Sequence, residues 1–381
     1  MLPEGEIEID LYPGSDNPVR IESSRPLQIS QLLTGKTVEQ ASDIIPLLFN
    51  VCAMAQSRAS QLALCSALDQ GNDPIRETAR DILVLIENAR EHLLRLSLDW
   101  PTLYAVQGKV ISVAEIMPLL ADTTRALFTD HKPFALHAPV LFEAGKLISI
   151  LDKLTRLVSD QILGMDTEQW LDIRDHDDFL NWVDRADTIA AEAIRFVIRQ
   201  QWTGLGQTNI PSLPRVSRAR LLPQLDQNFC TTPNWKDQCC ETSCFTRQRA
   251  HPLIQGVEQH HGHGLLARMV ARLVELALIP AMIRARTNAP EESWTDVAFA
   301  DRGLAQVETA RGRLLHYAEV EQDSIRRYHI IAPTEWNFHP RGLIQQSLGA
   351  LVKQSPQPLE PAARCLINSI DPCVGYQLRV H

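Results

Sequence analysis

The sequence sets a cysteine directly after Asp-Pro in its final stretch, Asp371-Pro372-Cys373-Val374-Gly375-Tyr376-Gln377-Leu378-Arg379-Val380-His381. Proline fixes its own φ and drives the residue before it out of the helical region, so this order predicts a rigid turn just ahead of the thiol. A thiolate whose direction is set beforehand suits a metal or a metal precursor. Read alone, a single cysteine near a terminus is ordinarily inert. A second thiol, Cys52 in Phe49-Asn50-Val51-Cys52-Ala53-Met54-Ala55-Gln56, falls on the apolar side of a helical pattern and by itself reads as packing. Arg311 stands before Gly312 in Glu308-Thr309-Ala310-Arg311-Gly312. Such an arginine is commonly a surface charge, yet a guanidinium is a good donor to small anions and a following glycine permits close backbone approach. Downstream, the run from Ile331 to Arg341 is dense in Pro, Trp, Asn and Arg, and Thr334 supplies a hydroxyl beside rigid Pro333. Cys239, Cys240 and Cys244, with His251, His260, His261 and His263, bring sulfur and imidazole into one region. Ligands of that softness suit zinc. Their spacing follows no zinc pattern, and adjacent cysteines rarely hold one ion, so a polar loop with free thiols is the favoured account.

The elements that must position these groups follow from periodicity. Ile7, Ile9 and Leu11 alternate with Glu6, Glu8 and Asp10, which predicts a half-buried strand; Pro13-Gly14 turns the chain, and Val19 to Glu22 returns. From Thr37 the period becomes helical, through Val38, Ala41, Ile45, Leu48, Cys52 and Ala55 to about Leu68, where Gly71-Asn72-Asp73-Pro74 stops it. A second helix carries Ile75, Ala79, Ile82, Ile86, Ala89, Leu93 and Leu96 on one face, with Arg76, Glu77, Arg80, Glu87 and Glu91 expected on an outer face. Further helices are predicted over Val113–Phe128, Pro139–Leu163 and Phe179–Gln200, together a bundle, and Leu265–Ile283 returns to helix after a loop-rich stretch. Proline-rich sequence from Gly204 to about Pro252 reads as loop with short strand pieces. Val307, Leu314, Tyr317, Ile325, Tyr328 and Ile330 suggest a meander, and two short helices follow over Gly342–Lys353 and Glu360–Ile370.

A chain of 381 residues that is 45% hydrophobic can bury a sizeable core. Its net charge of -9 argues against nucleic-acid or anionic-membrane partners, since no basic surplus exists to neutralise phosphates. The acidic opening MLPEGEIEIDLYPG is unlike a secretory signal, and no apolar run approaches membrane-spanning length, so a soluble, cytoplasmic protein is expected. Eight cysteines without regular spacing are not a disulfide framework; most, such as Cys65 and Cys365, read as small core hydrophobes.

Side by side, these stretches resemble the large subunit of nickel–iron hydrogenases from end to end, and more closely the large-subunit-like maturation proteins of the HupK/HoxV kind. Against the family's D-P-C-x-x-C-x-x-H, Asp371, Pro372 and Cys373 match, while Tyr376 replaces the second cysteine and Arg379 the histidine. Against C-x-x-C-x-x-x-H, Cys52 keeps the second cysteine, Phe49 replaces the first and Gln56 the histidine. Glu308, Arg311 and Gly312 fit E-x-P-R-G with Ala310 at the proline. Pro333, Thr334, Trp336, Asn337, Pro340 and Arg341 fit P-T-x-W-N-x-x-P-R, and Glu241, Thr242 and Arg247 resemble E-T-G-x-x-x-R with Ser243 at the glycine.

The resemblance implies an α+β, mainly α fold: a central helical bundle with small peripheral β-sheets in one large-subunit-like domain. N-terminal strands would occupy 1–36, the bundle 37–200, a loop-rich insert and helix 201–290, and strands, short helices and the C-terminal metal motif 291–381. Of the family's four cysteine ligands only Cys52 and Cys373 remain, corresponding respectively to a nickel–iron bridge and a ligand of nickel alone. Ser30 falls where a proton-relay glutamate is expected, and no extension for a maturation protease follows the motif, so nickel and enzymatic turnover are not expected. The positions of Arg311 and Thr334, beside Pro333, are those that hold cyanide on the family's iron. The implied role is a scaffold or carrier for iron bearing cyanide and carbon monoxide, with HypC-type and HypD-type maturation proteins and the hydrogenase large subunit as partners. The alternative is a metal-free mimic of the large subunit that binds chaperones or a small subunit.

Overall fold

The computed structural model describes residues 5–25, 27–49, 51–71, 73–108, 111–130, 132–292, 294–354 and 358–381. Residues 1–4 of the acidic opening, and Asn50 and Asn72 of the stretches read above, lie outside them. Strand β1 (Glu6–Leu11) pairs antiparallel with β2 (Val19–Ser23), Ile9 facing Ile21, and the alternation buries Ile7, Ile9 and Leu11. A third strand joins them from the far end of the chain. β7 (Gly375–Val380) runs parallel to β1, with Glu6 opposite Gly375, giving the order β2-β1-β7. Arg379 Nη1 donates to Glu8 Oε2 at 3.0 Å, and the Tyr12 and His381 rings stack with centroids 4.5 Å apart.

The helical period read as continuous from Thr37 to Leu68 is two helices. A capping box at Thr37 and Gln40 starts α1 (Val38–Leu48); Phe49 then turns extended, and α2 (Ala53–Ala67) begins anew after Cys52. The Asp73 carboxylate accepts from the Ile75 amide at 3.1 Å, starting α3 (Pro74–Leu94). The charges expected on an outer face of α3 are partly inside: Arg80, Glu87 and Glu91 are buried. The helix is enclosed by α2, the Pro118–Leu127 helix and the Leu265–Asn288 helix, so its polar side meets protein rather than water. Arg80 Nε accordingly donates to the Pro133 carbonyl at 2.9 Å, and Arg58 pairs with Asp81 at 2.7 Å.

Elsewhere the expected helices hold with shifted ends. The Val113–Phe128 segment divides before Pro118, the Pro139 segment starts at Ala144, and the Phe179–Gln200 segment breaks between Arg185 and Ile189, where Thr188 caps the second helix. The segment after Gly204 is coil with short helices. The last helix of the bundle runs on through Pro280 to Asn288. Strands β3 (Ala298–Asp301), β4 (Leu304–Thr309), β5 (Gly312–Glu321) and β6 (Ser324–Ile331) form an antiparallel meander in that order, and α2 packs across β4 and β5. The one-turn helix Pro333–Asn337 and the helices Leu343–Gln354 and Leu359–Ile370 complete the chain before β7. This is an α+β, mainly α architecture with two small sheets flanking the helices.

Candidate functional site

The sheet β2-β1-β7 and the meander bring four separated stretches to one place. Cys373 leaves the Leu359–Ile370 helix through Asp371, whose φ of 62° puts it in the left-handed region rather than the extended one expected before proline. Cys373 is half-buried, and Thr334 holds it: the Thr334 hydroxyl lies 3.0 Å from Cys373 Sγ, and the Cys373 amide donates to Thr334 Oγ1 at 3.3 Å. Pro333 is buried at the first position of the one-turn helix, where its missing N–H costs nothing, and it fixes the start of the turn that carries Thr334.

Cys52 reaches the site because α1 and α2 part just before it. As the residue capping α2 it makes no side-chain cap of its own. Glu87 of α3 does this instead, accepting from the Met54 and Ala55 amides at 2.9 Å each, which frees the sulfur. Burial drives the Glu87 carboxyl up to about 7 against those two amides. Gln56, at the position of the family's histidine, puts its Nε2 3.8 Å from Cys52 Sγ, while its Oε1 lies 2.8 Å from His316 Nε2. Burial pushes the Cys52 thiol up, and the Cys373 and Glu87 charges push it further, against Arg311 and Gln56.

Arg311 points inward and is 4% exposed, so the surface-charge reading fails for it. Gly312, at φ 132°, lets this corner close against Thr242, whose carbonyl would lie 2.2 Å from any added Cβ. Asn337 accepts from the Thr242 amide at 3.0 Å and donates to the Thr242 carbonyl at 2.7 Å, tying the Glu241-Thr242 segment to the Pro333–Asn337 helix. Arg311 Nη2 donates to Glu91 at 3.1 Å, and Nε lies 3.5 Å from Asp371 Oδ2. Burial would weaken the guanidinium's charge, but Asp371, Glu91 and the two thiols outweigh it and raise its pKa. Nε nonetheless makes no hydrogen bond among the described residues. Asp371 is shared with Arg95 at 3.0 Å and Arg272 at 3.7 Å.

Two thiols, a hydroxyl already bonded to one of them, and a buried guanidinium with an unfilled donor make a donor set suited to a soft metal carrying small anionic ligands. Thr334 touches Cys373, Cys52 and Arg311 lie in the same neighbourhood, and Pro333 supports Thr334. Sequence reasoning missed Glu87 and Glu91, which it placed outside, and Arg25. Arg25 arrives from the segment after β2 and pairs with Glu335; burial would lower its pKa, but Cys373, Glu335 and Cys52 raise it. A helix charged at Glu87 and Glu91 next to its apolar face was the available signal for the first two; Arg25 had none.

The cysteine–histidine group is dispersed. Cys239 Sγ lies 3.4 Å from His339 Nδ1, Cys240 and Cys244 sit in different hydrophobic clusters, and His251 caps the Pro252–His261 helix. His261 Nε2 lies 2.8 Å from His176 Nε2, with the His260 ring stacked on His176 at 4.0 Å. No group of three or more His, Cys, Asp or Glu side chains among the described residues could hold a metal ion.

Residues 234–378, which include Arg311, Thr334 and Cys373, match the nickel-dependent hydrogenase family. The chain is 29% identical to the hydrogenase expression/formation protein HoxV of Cupriavidus necator, over 93% of this chain and 91% of that protein. It is 25% identical to the expression/formation protein HupK of Rhizobium leguminosarum bv. viciae, over 95% and 92%. The chain is similar to HupK and HoxV over nearly its whole length. The fold of this large-subunit-like chain is shared with the [NiFeSe] hydrogenase of Desulfovibrio vulgaris Hildenborough, at a TM-score of 0.64 and 16% identity over 93% of this chain and 92% of that one. An NAD+-reducing [NiFe]-hydrogenase is likewise similar, at a TM-score of 0.60. No helix among the described residues is long and apolar enough to cross a membrane.

Proposed function

We propose that the chain serves hydrogenase maturation as a non-catalytic scaffold or carrier for the iron–cyanide–carbonyl group, before that group passes to the hydrogenase large subunit. The role in maturation is supported by similarity to expression/formation proteins over nearly the whole chain. The observation that carries the finer reading is the meeting of Cys52, Cys373, Arg311 and Thr334, with Arg311 Nε left without a hydrogen bond. Phe49 and Tyr376 stand where two further family thiols would be, so nickel has no four-sulfur cage here. Iron is cargo in this reading. Two thiolates would hold it, Arg311 would donate to an anionic diatomic ligand, and Thr334 would orient the Cys373 sulfur. A two-sulfur hold suits release to another protein better than a closed cage does. HypC-type and HypD-type proteins are the expected donors, working in the cytoplasm.

The test is purification after coexpression with the maturation machinery. Infrared bands of cyanide and carbon monoxide should accompany iron in the wild-type protein and vanish in Cys52→Ala and Cys373→Ala. Their absence from the wild type, with partner binding retained in the double variant, would instead favour a metal-free mimic of the large subunit.

A further inference from the structure

A cavity of about 180 Å³ lies between the β2-β1-β7 sheet and the segment around Thr231, lined in part by Ile7, Ser23, Arg25, Thr232, Thr334 and Phe338. Its wall at Thr334 is the residue bonded to Cys373 Sγ, and Thr232 at its rim is exposed. Arg25 is the cavity's cation. Glu335, on the turn that carries Thr334, grips it in an ion pair, and Glu335 Oε2 is itself fixed by the Ala332 amide at 2.9 Å. The Arg25 backbone is pressed against Gly5, where a Cβ would come within 2.5 Å of Arg25 Cα. That glycine, at φ 75°, seats the arginine against the sheet. The side chain is 16% exposed, so its position is built rather than sampled.

Burial would lower the Arg25 pKa, but Cys373, Glu335 and Cys52 outweigh it and raise it. Arg311 meets the same thiols from the meander, with Glu91 and Asp371 as its carboxylates. Both thiols thus act on two guanidiniums, Arg25 and Arg311; Arg25 lines the cavity, and Thr334 in its wall connects it to Cys373.

We propose that this cavity is the loading port for the thiol pair, and that Arg25 is a second anion-holding residue that draws an anionic metal group in and grips it opposite Arg311. The nature of the group rests on the carrier reading; the port and the selectivity of Arg25 do not. A cation buried beside a passage raises the local concentration of anions there and disfavours cations.

The experiment uses the full-length, metal-free protein and two alkylating reagents of similar size, anionic iodoacetate and neutral iodoacetamide. Modification of Cys373 is followed by peptide mass spectrometry. Any effect of a substitution on the thiol itself changes both rates alike, so their ratio isolates the charge of the passage. Arg25→Met should lower the iodoacetate-to-iodoacetamide ratio at Cys373 by ~10-fold, and Arg25→Lys should keep most of it. Thr232→Trp, at the exposed rim, should slow both reagents at Cys373 several-fold and leave Cys239 unchanged. An unchanged ratio in Arg25→Met, or unchanged rates in Thr232→Trp, overturns the proposal. Wild-type protein that shows the ratio but never carries iron retains the port and loses the carrier; iron bands with an unchanged ratio do the reverse.

Discussion

Glu87 is the residue on which the position of Cys52 most directly depends. Its carboxylate closes the open start of α2 across from another helix, through two hydrogen bonds of 2.9 Å, in a side chain 1% exposed. In Glu87→Ala both amides lose their partner away from water, at about 1–3 kcal/mol each. Against this stands the relief of unburying a carboxyl whose pKa burial has driven up to about 7, which returns roughly 3 kcal/mol at most and less near neutrality, where it is half protonated. The net expectation is a loss of about 2 kcal/mol. Glu87→Gln keeps one acceptor but turns an NH₂ toward the second amide, so it should cost about 1 kcal/mol rather than nothing. Urea denaturation at pH 7 measures both. A second readout is Cys52 alkylation by iodoacetamide, which should quicken several-fold as the first turn of α2 loosens. If both variants stay within about 0.5 kcal/mol of wild type and Cys52 reacts no faster, the carboxylate does not hold that turn and the reasoning is wrong.

Asp371→Asn removes the carboxylate shared by Arg95, Arg272 and Arg311 while keeping a residue that accepts the left-handed φ. It should cost about 3–5 kcal/mol by denaturant titration, with the three cations left facing one another. Glu275 should make the protein acid-sensitive. Burial would raise its pKa, but Arg247 at 2.6 Å and His92 at 3.0 Å outweigh this and hold it at about 2, with Gln248 also facing it. A depressed carboxylate contributes stability above about pH 4.5 that is lost as pH falls toward 2. Between pH 5 and pH 3 the wild type should therefore lose about 2 kcal/mol more than Glu275→Gln, measured by urea titration at each pH.

What the sequence made legible was whatever is local. The alternation at Ile7, Ile9 and Leu11 gave a strand because one face meets the core, and the spacing from Ile75 to Leu93 gave α3. The motif residues Cys52, Arg311, Thr334 and Cys373 could be paired on chemistry and resemblance before any distance was known. What stayed hidden was long-range. Nothing near Glu91 says that a guanidinium from the β4–β5 turn will cover it, so α3 looked solvated on that side. The break before Cys52 was invisible because the apolar period continues across it and the compensating carboxylate lies on the next helix. Gly375 to Val380 read as the tail of a cysteine motif, although its backbone was to complete a sheet with β1.

That parallel pairing joins residues such as Glu6 and Gln377, 371 positions apart. A ribosome adding 5–20 residues per second leaves β1 waiting roughly 20 to 75 s for its neighbour. Until then Cys52 and Arg25 have been made but Cys373 has not. Anything that needs both sulfurs at once can meet them only after the first strand has closed against the last.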